Sequence, residues 1–212
     1  MKYFIQGLMV SAIIALSGCA SFHQEKMPLI ETMPDTSQYQ NLPSVYVDFD
    51  FYRGKPDENP QDVDQVEPEL LPMVKKVVDE SKLFSQVSYN EADQENMDYT
   101  IRLRAYNHGE VGLAAVGGFL TGFTLGIIPS AATDQFSVVM EVLDNSGSSL
   151  HSNDNHDEIT TWLGIWFIPV MGNTIPEAVE ASLSNQIKHA LKAAFESGAM
   201  QYSYLMYPLR NA

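Results

Sequence analysis

A single cysteine, Cys19, occurs in the 212 residues, so no intramolecular disulfide can form and packing alone must hold the fold. Basic residues are also scarce. Twelve Lys and Arg stand against 27 Asp and Glu, a formal net charge of −15. A surface of that sign repels phosphate, and with no basic stripe to offset it, nucleic acid is excluded as a partner. The residue patterns of familiar catalysis are missing as well. There is no G-x-S-x-G, no P-loop and no H-E-x-x-H, and Gly117-Gly118 follows no strand that opens a nucleotide-binding helix. Carboxylates are so plentiful that no pair of them is informative. The sequence reads as non-enzymatic, with no cofactor expected.

What the chain does have is two long stretches without charge. Val111 to Thr133, VGLAAVGGFLTGFTLGIIPSAAT, lies between Glu110 and Asp134. A shorter run, WLGIWFIPVMG, covers 162–172 and holds both tryptophans, Trp162 and Trp166. A third apolar run sits at the amino terminus. Met1 and Lys2 give a positive start, Tyr3 to Leu16 is largely apolar, and Leu16-Ser17-Gly18-Cys19 is a small-residue cleavage site, the layout of a secretory signal.

The tetrad LSGC resembles the lipobox of bacterial lipoproteins, Leu-small-small-Cys. In that family the signal is cut before the cysteine, whose thiol takes a diacylglycerol and whose new amine takes a third chain. The resemblance implies that Cys19 is the lipidated residue. It also implies, because Ala20 and not Asp follows, a destination at the outer membrane facing the periplasm. Each buried methylene contributes about 0.8 kcal/mol, so two or three acyl chains amount to a permanent anchor. An uncleaved signal anchor or a buried core cysteine is the alternative reading of the same residues.

Residues 1–18 are thus read as a signal peptide and 19–42 as a lipidated start and flexible tether. That second segment is polar and carries Pro28 and Pro34, with Pro43 just after it. Roughly 20 residues at about 3.3 Å each could hold a domain several nanometres from the bilayer. Residues 43–212 are read as a single α+β domain, a small, largely antiparallel sheet with two helices on one face and a Gly-rich apolar insert.

The elements come from periodicity. SVYVDFDFY alternates Val45, Val47, Phe49 and Phe51 with Tyr46, Asp48, Asp50 and Tyr52, a half-buried strand. Leu70, Leu71, Val74, Val77 and Val78 predict an amphipathic helix from Glu69 to about Phe84. Strands are predicted over 98–107 and 135–144, with a shorter return strand over 158–162 after a turn around Gly147. Thr174 and Glu177 have capping-box spacing, Pro176 suits a first turn and Gly198 can stop the helix between them. The tail YSYLMYPLR could add an edge strand or pack on the sheet.

A helix of 23 residues would span about 34 Å, enough to cross a hydrocarbon core of about 30 Å. A single crossing, however, would place strands 98–107 and 135–143 on opposite sides of the membrane. A hairpin, a re-entrant loop or an interfacial patch fits better. If 135–143 and 158–162 pair, both apolar runs leave the sheet at the same end, so both should emerge on one rim, with Trp162 and Trp166 suited to a lipid–water boundary. Ala114, Gly118, Gly122, Gly126 and Ser130 are spaced by four and would form a ridge for close helix approach. Insertion into a bilayer, burial as a flap over the sheet, and packing in an assembly all remain open. The order of elements with a Gly-rich insert is similar to that of outer-membrane lipoproteins which form rings through membrane hairpins, such as the conjugative surface-exclusion lipoprotein and, more distantly, the curli secretion channel. In that family the insert is longer, and the Trp162–Trp166 run is additional here.

His151 and His156 flank Asn153, Asp154 and Asn155 in HSNDNHDE, which reads as a turn loop rather than a metal site. The loop carrying Asp57, Glu58, Asp62, Asp64, Glu67 and Glu69 lacks the fixed alternation of a calcium loop and reads as solvated. The expectation is a lipid-anchored periplasmic protein that docks a hydrophobic rim on membrane or a membrane partner in envelope maintenance or assembly. A homo-oligomeric ring or channel component, or a module for an apolar ligand, are the alternatives.

Overall fold

The computed structural model describes residues 19–24, 26–109, 121, 123, 124, 127–170 and 172–204. The strands are β1 Cys19–His23, β2 Tyr39–Asn41, β3 Ser44–Arg53, β4 Gln61–Asp62, β5 Gln86–Ser88, β6 Tyr99–Asn107, β7 Ser130–Leu143, β8 Ser149–Leu163 and β9 Ser203–Tyr204. Two long helices, α1 Glu67–Glu80 and α2 Ile175–Ser197, and two 3-10 turns, Glu91–Asn96 and Ile165–Val170, complete them. This is an α+β fold.

A seven-stranded sheet is hydrogen-bonded in the order β1-β8-β7-β6-β3-β4, with β5 also on β3. β4 lies antiparallel to the end of β3, opposite Tyr52 and Arg53. β5 runs parallel to its start, opposite Ser44 to Tyr46. The segment β3-α1-β5 is therefore a βαβ unit, whose crossover helix packs on β3, and the sheet is mixed. β2 and β9 form a separate two-stranded sheet, so the tail pairs outside the main sheet.

Contacts divide the chain into two compact units where the sequence reading has one domain. The first draws on the segment ending at Lys26, on Asn107–Phe136 and on Asp157–Ser182; the second holds Met27–Tyr106, Ser137–His156 and the chain from Leu183 on. The physical reason lies in β7 and β8. At 14 and 15 residues they are two to three times the usual strand length, and they supply residues to both units.

In the second unit the core is aliphatic. Val45, Val74, Ile101, Leu103, Met140, Leu183, Ile187 and Leu191 are all buried, each burial contributing about 1.5–3 kcal/mol. The opposite face of β3 and β6 is polar and paired across strands: Arg102 reaches Asp48 at 3.8 Å and Glu141 at 3.4 Å, and Arg104 reaches Asp50 at 3.5 Å. Tyr52 stacks on Tyr106 with centroids 5.1 Å apart.

Helix α1 starts at Glu67, with Glu67 and Glu69 in its first turn complementing the helix dipole. It ends at Glu80, short of Phe84, because Lys82 adopts φ +57°, a left-handed conformation that no helix continues through. At α2 the Thr174–Glu177 box is made: Thr174 N and Oγ1 donate to Glu177 Oε2 at 3.1 and 3.0 Å, and Glu177 N donates to Thr174 Oγ1 at 3.4 Å. Gly198, at φ +70°, closes the helix in the conformation that glycine adopts without strain.

Candidate functional site

The site is built in the first unit, from β1 upward. Where the sequence reading places a flexible tether from residue 19, the structure has a strand, with Cys19 opposite Leu163, Ala20 opposite Trp162 and His23 opposite Ile159, antiparallel. The pattern CASFH sends Ala20 and Phe22 to one face and Ser21 and His23 to the other. Ala20 is fully buried. Ser21 Oγ bonds Thr161 Oγ1 at 2.8 Å, and Ser21 N donates to Asn173 O at 2.9 Å. β1 is thus held by β8 on one edge and by the residue 173 carbonyl on the other. After β1, residues 24 and 26–38 form neither helix nor strand, and the segment is bonded to α2, Ile30 N donating to Asn185 Oδ1 at 3.0 Å.

His23 anchors the far end of β1. Its Nε2 bonds Asp157 Oδ2, a carboxylate with no solvent-exposed side-chain surface. Three further donors converge on that carboxylate: Glu158 N at 2.8 Å, Lys26 N at 3.3 Å and Ser182 Oγ at 3.2 Å. A buried carboxylate is tolerable when its lone pairs are satisfied in this way. Ser, His and Asp meet here, but in the wrong order for nucleophilic catalysis. The Ser182 hydroxyl donates to the carboxylate and not to the imidazole, so the imidazole does not stand between hydroxyl and carboxylate as it does in a triad. The cluster is a structural latch, which composition and periodicity could not reveal because its members lie more than a hundred residues apart.

The two apolar runs meet in the same unit. Trp166, in the 3-10 turn, donates from Nε1 to Ile127 O at 2.9 Å. Trp162 packs against Phe167, centroids 5.4 Å apart. Thr121 Oγ1 donates to Ser130 Oγ at 2.7 Å, Thr124 Oγ1 to Thr121 O at 3.3 Å, and Ile128 N to Thr124 Oγ1 at 3.2 Å. These polar groups bond one another, and several neighbouring hydrophobic side chains are exposed. Phe123 is 78% exposed, Trp166 63% and Ile127 62%. Among the described residues ten large hydrophobic side chains are exposed, and only Leu29 and Leu150 lie outside the first unit. The other eight, including Phe22, Ile128, Trp162, Val170 and Ile175, belong to the first unit and make up its apolar rim; six of them lie on two segments that carry no formal charge, 127–133 and 159–176.

Of the sequence-named rim residues, Trp162 and Trp166 are thus placed, and Ser130 opens β7. Ala114, Gly118, Gly122 and Gly126 lie outside the described residues. The insert read as 111–133 gives up its last residues to β7, which begins at Ser130. Among the described residues no helix is long and apolar enough to cross a membrane.

The turn loop read at HSNDNHDE is a correction. It is strand, because β8 runs from Ser149 and not from 158, and this half of it pairs with β7 in the seven-stranded sheet. His151 and His156, an odd number of residues apart on a strand, point to opposite faces and do not converge. His156 instead bonds Ser137 Oγ through Nδ1 at 2.6 Å and faces Asp154 at 3.5 Å. In the acidic loop Asp62, Asp64 and Glu67 bring carboxylate oxygens within 4.8 Å of one another. Desolvation and, after it, Asp64 hold the Asp62 carboxyl above its ordinary range. Burial raises Glu67, which accepts from Phe51 N at 3.3 Å.

The fold and the rim define an α+β protein with an apolar contact surface. No family model matches the sequence, and no curated protein matches it. Among solved structures the chain is similar to the PelC dodecamer from Paraburkholderia phytofirmans, at 11% identity and a TM-score of 0.36, over 84% of this chain and 98% of that one. It is also similar to a Helicobacter pylori protein assigned as a neuraminyllactose-binding hemagglutinin homolog, at 11% identity and a TM-score of 0.35, over 77% of this chain and 95% of that one.

Proposed function

We propose that the protein is a non-enzymatic, lipid-anchored component of the bacterial envelope, attached through Cys19 at the outer membrane on its periplasmic side. Its apolar rim docks on membrane or a membrane partner in envelope maintenance or assembly. The observation that supports this most is that, among the described residues, exposed large hydrophobic side chains concentrate in the unit that holds Cys19 on a strand. Contiguous exposed apolar surface on an otherwise acidic protein marks an interaction site.

The test is metabolic labelling with palmitate in cells expressing wild type or Cys19→Ser, the variant exported by a leader cleaved without a cysteine. The reading expects label on wild type alone, with wild type in the outer-membrane fraction. Label on Cys19→Ser, or an unlabelled soluble wild type, contradicts it.

A second reading follows from the same rim. Its density of aromatic and aliphatic side chains also suits contact between copies of the chain, giving a homo-oligomer. The mass of the detergent-solubilised protein separates the two, a monomer favouring the first reading and a multiple of the lipidated protomer's mass the second.

A further inference from the structure

We propose that the rim and the Cys19 attachment point enter one leaflet of a phospholipid bilayer together, with no spacer, so that the first unit lies flush on the membrane. The proposal rests on the reading of Cys19 as the lipid-bearing residue, and it names the bilayer, rather than a second protein, as the occupant of the rim.

The position of β1 carries the argument. Cys19 is itself part of the strand, opposite Leu163, and the next residue, Ala20, is buried opposite Trp162. Neighbouring strands lie about 4.8 Å apart. Acyl chains on residue 19 therefore begin beside the residues that lead into the Trp162–Trp166 run. A tether of residues 19–42 would let the domain stand several nanometres off. The Ser21–Thr161, Ser21–Asn173 and His23–Asp157 bonds remove that freedom from the second residue after the anchor.

Two features select a bilayer. The apolar run Tyr3–Leu16 leads to the same point, so whether the leader is cut and replaced by lipid or kept as an anchor, hydrocarbon starts at Cys19. The converging segments 19–22, 127–133 and 159–176 carry no formal charge in a chain of −15, so seating them in lipid desolvates no charge. The side chains of Ser21, Ser130, Thr133, Thr160, Thr161 and Thr174 and the Trp166 N–H are already bonded within the unit, which lowers the cost of non-aqueous surroundings. Trp162 and Trp166 then sit where indole is favoured, at the boundary.

The chain has only two tryptophans, both in this run, so fluorescence excited on the red edge, where its ten tyrosines do not absorb, reports the rim. Lipidated wild type is reconstituted into phosphatidylcholine vesicles containing a fraction of lipid brominated on its acyl chains, and flotation, quenching and iodide accessibility are read together. Flush seating predicts flotation, with fluorescence quenched by lipid brominated near the glycerol end more than near the chain terminus, and protection from iodide. Ile127→Glu should still float but lose the quenching, with its far-UV spectrum unchanged. Flotation of wild type with unquenched, iodide-accessible tryptophans would overturn flush seating while leaving the anchor intact. Unquenched but iodide-protected tryptophans in a multimer would assign the rim to a second copy and overturn it too. Failure to float would defeat the anchor reading, and this proposal with it.

Discussion

The indole N–H of Trp166 donates to the carbonyl of Ile127 at 2.9 Å, joining two apolar runs that lie 39 positions apart in the chain. This bond closes the rim, and it gives the tryptophan a reason for being there beyond hydrophobicity. Trp166→Phe keeps the ring and removes the donor. Stability should fall by about 0.5–1.5 kcal/mol, read as a shift of the urea midpoint with unchanged slope.

The His23–Asp157 latch makes a larger claim. His23→Ala leaves a fully buried carboxylate one donor short and should cost about 1–3 kcal/mol. Asp157→Ala strands the imidazole and the Ser182 hydroxyl at comparable cost. Because the residues act as a pair, the double variant should lose less than the two single losses combined, a coupling that equilibrium denaturation of all four proteins measures.

Two aspartates should respond to pH with opposite sign. Asp98 Oδ2 accepts from Ser44 N and Oγ, each at 2.7 Å, and these bonds hold its pKa below the ordinary 3.8. The folded state releases that proton more readily than the unfolded one. Its contribution is therefore full above 3.8 and is lost as pH falls through the lowered value. Asp98→Asn should cost about 1 kcal/mol or less at neutral pH, since the carboxylate is well hydrated, and the difference should shrink in acid.

Asp134 behaves the other way. Burial raises its pKa above 3.8, so the folded state binds the proton more tightly, and the charge weakens the fold at neutral pH. That penalty disappears as pH falls through the raised value. Asp134→Asn should be more stable than wild type at pH 7, with the advantage gone in acid, as parallel thermal melts would show.

Gly109 packs where a side chain has no room. A Cβ there would meet the Asp134 carboxylate and approach its Cα at 3.2 Å, so the backbone itself would have to move. Gly109→Ala should cost about 1–3 kcal/mol, whereas Gly172→Ala, where a Cβ meets nothing within 4 Å, should be close to neutral.

Much of this was legible in the chain. Alternation at Val45–Phe51 and Tyr99–Tyr106, the 3.6-residue stripe of α1, and the Thr174–Glu177 box each rest on a local rule, and local rules read well from sequence. So does the convergence of the two apolar runs, once 135–143 and 158–162 are paired. Short pairings were not legible. β5 is three residues long and finds its place only because α1 returns the chain beside β3, and β1 is invisible without β8 to receive it. HSNDNHDE has turn composition and so reads as loop, yet pairing with β7 in the main sheet carries it as strand. The latch at Asp157 joins β1, the 24–26 segment and α2, a tertiary event that no periodicity encodes.

The most direct test of the account is the intact mass of the amino-terminal peptide from protein extracted out of the outer membrane. The account predicts a chain beginning at Cys19, with the mass of a diacylglyceryl group and an amide-linked acyl chain added to that residue. A peptide reading unmodified through Leu16-Ser17-Gly18 into Cys19 would contradict it.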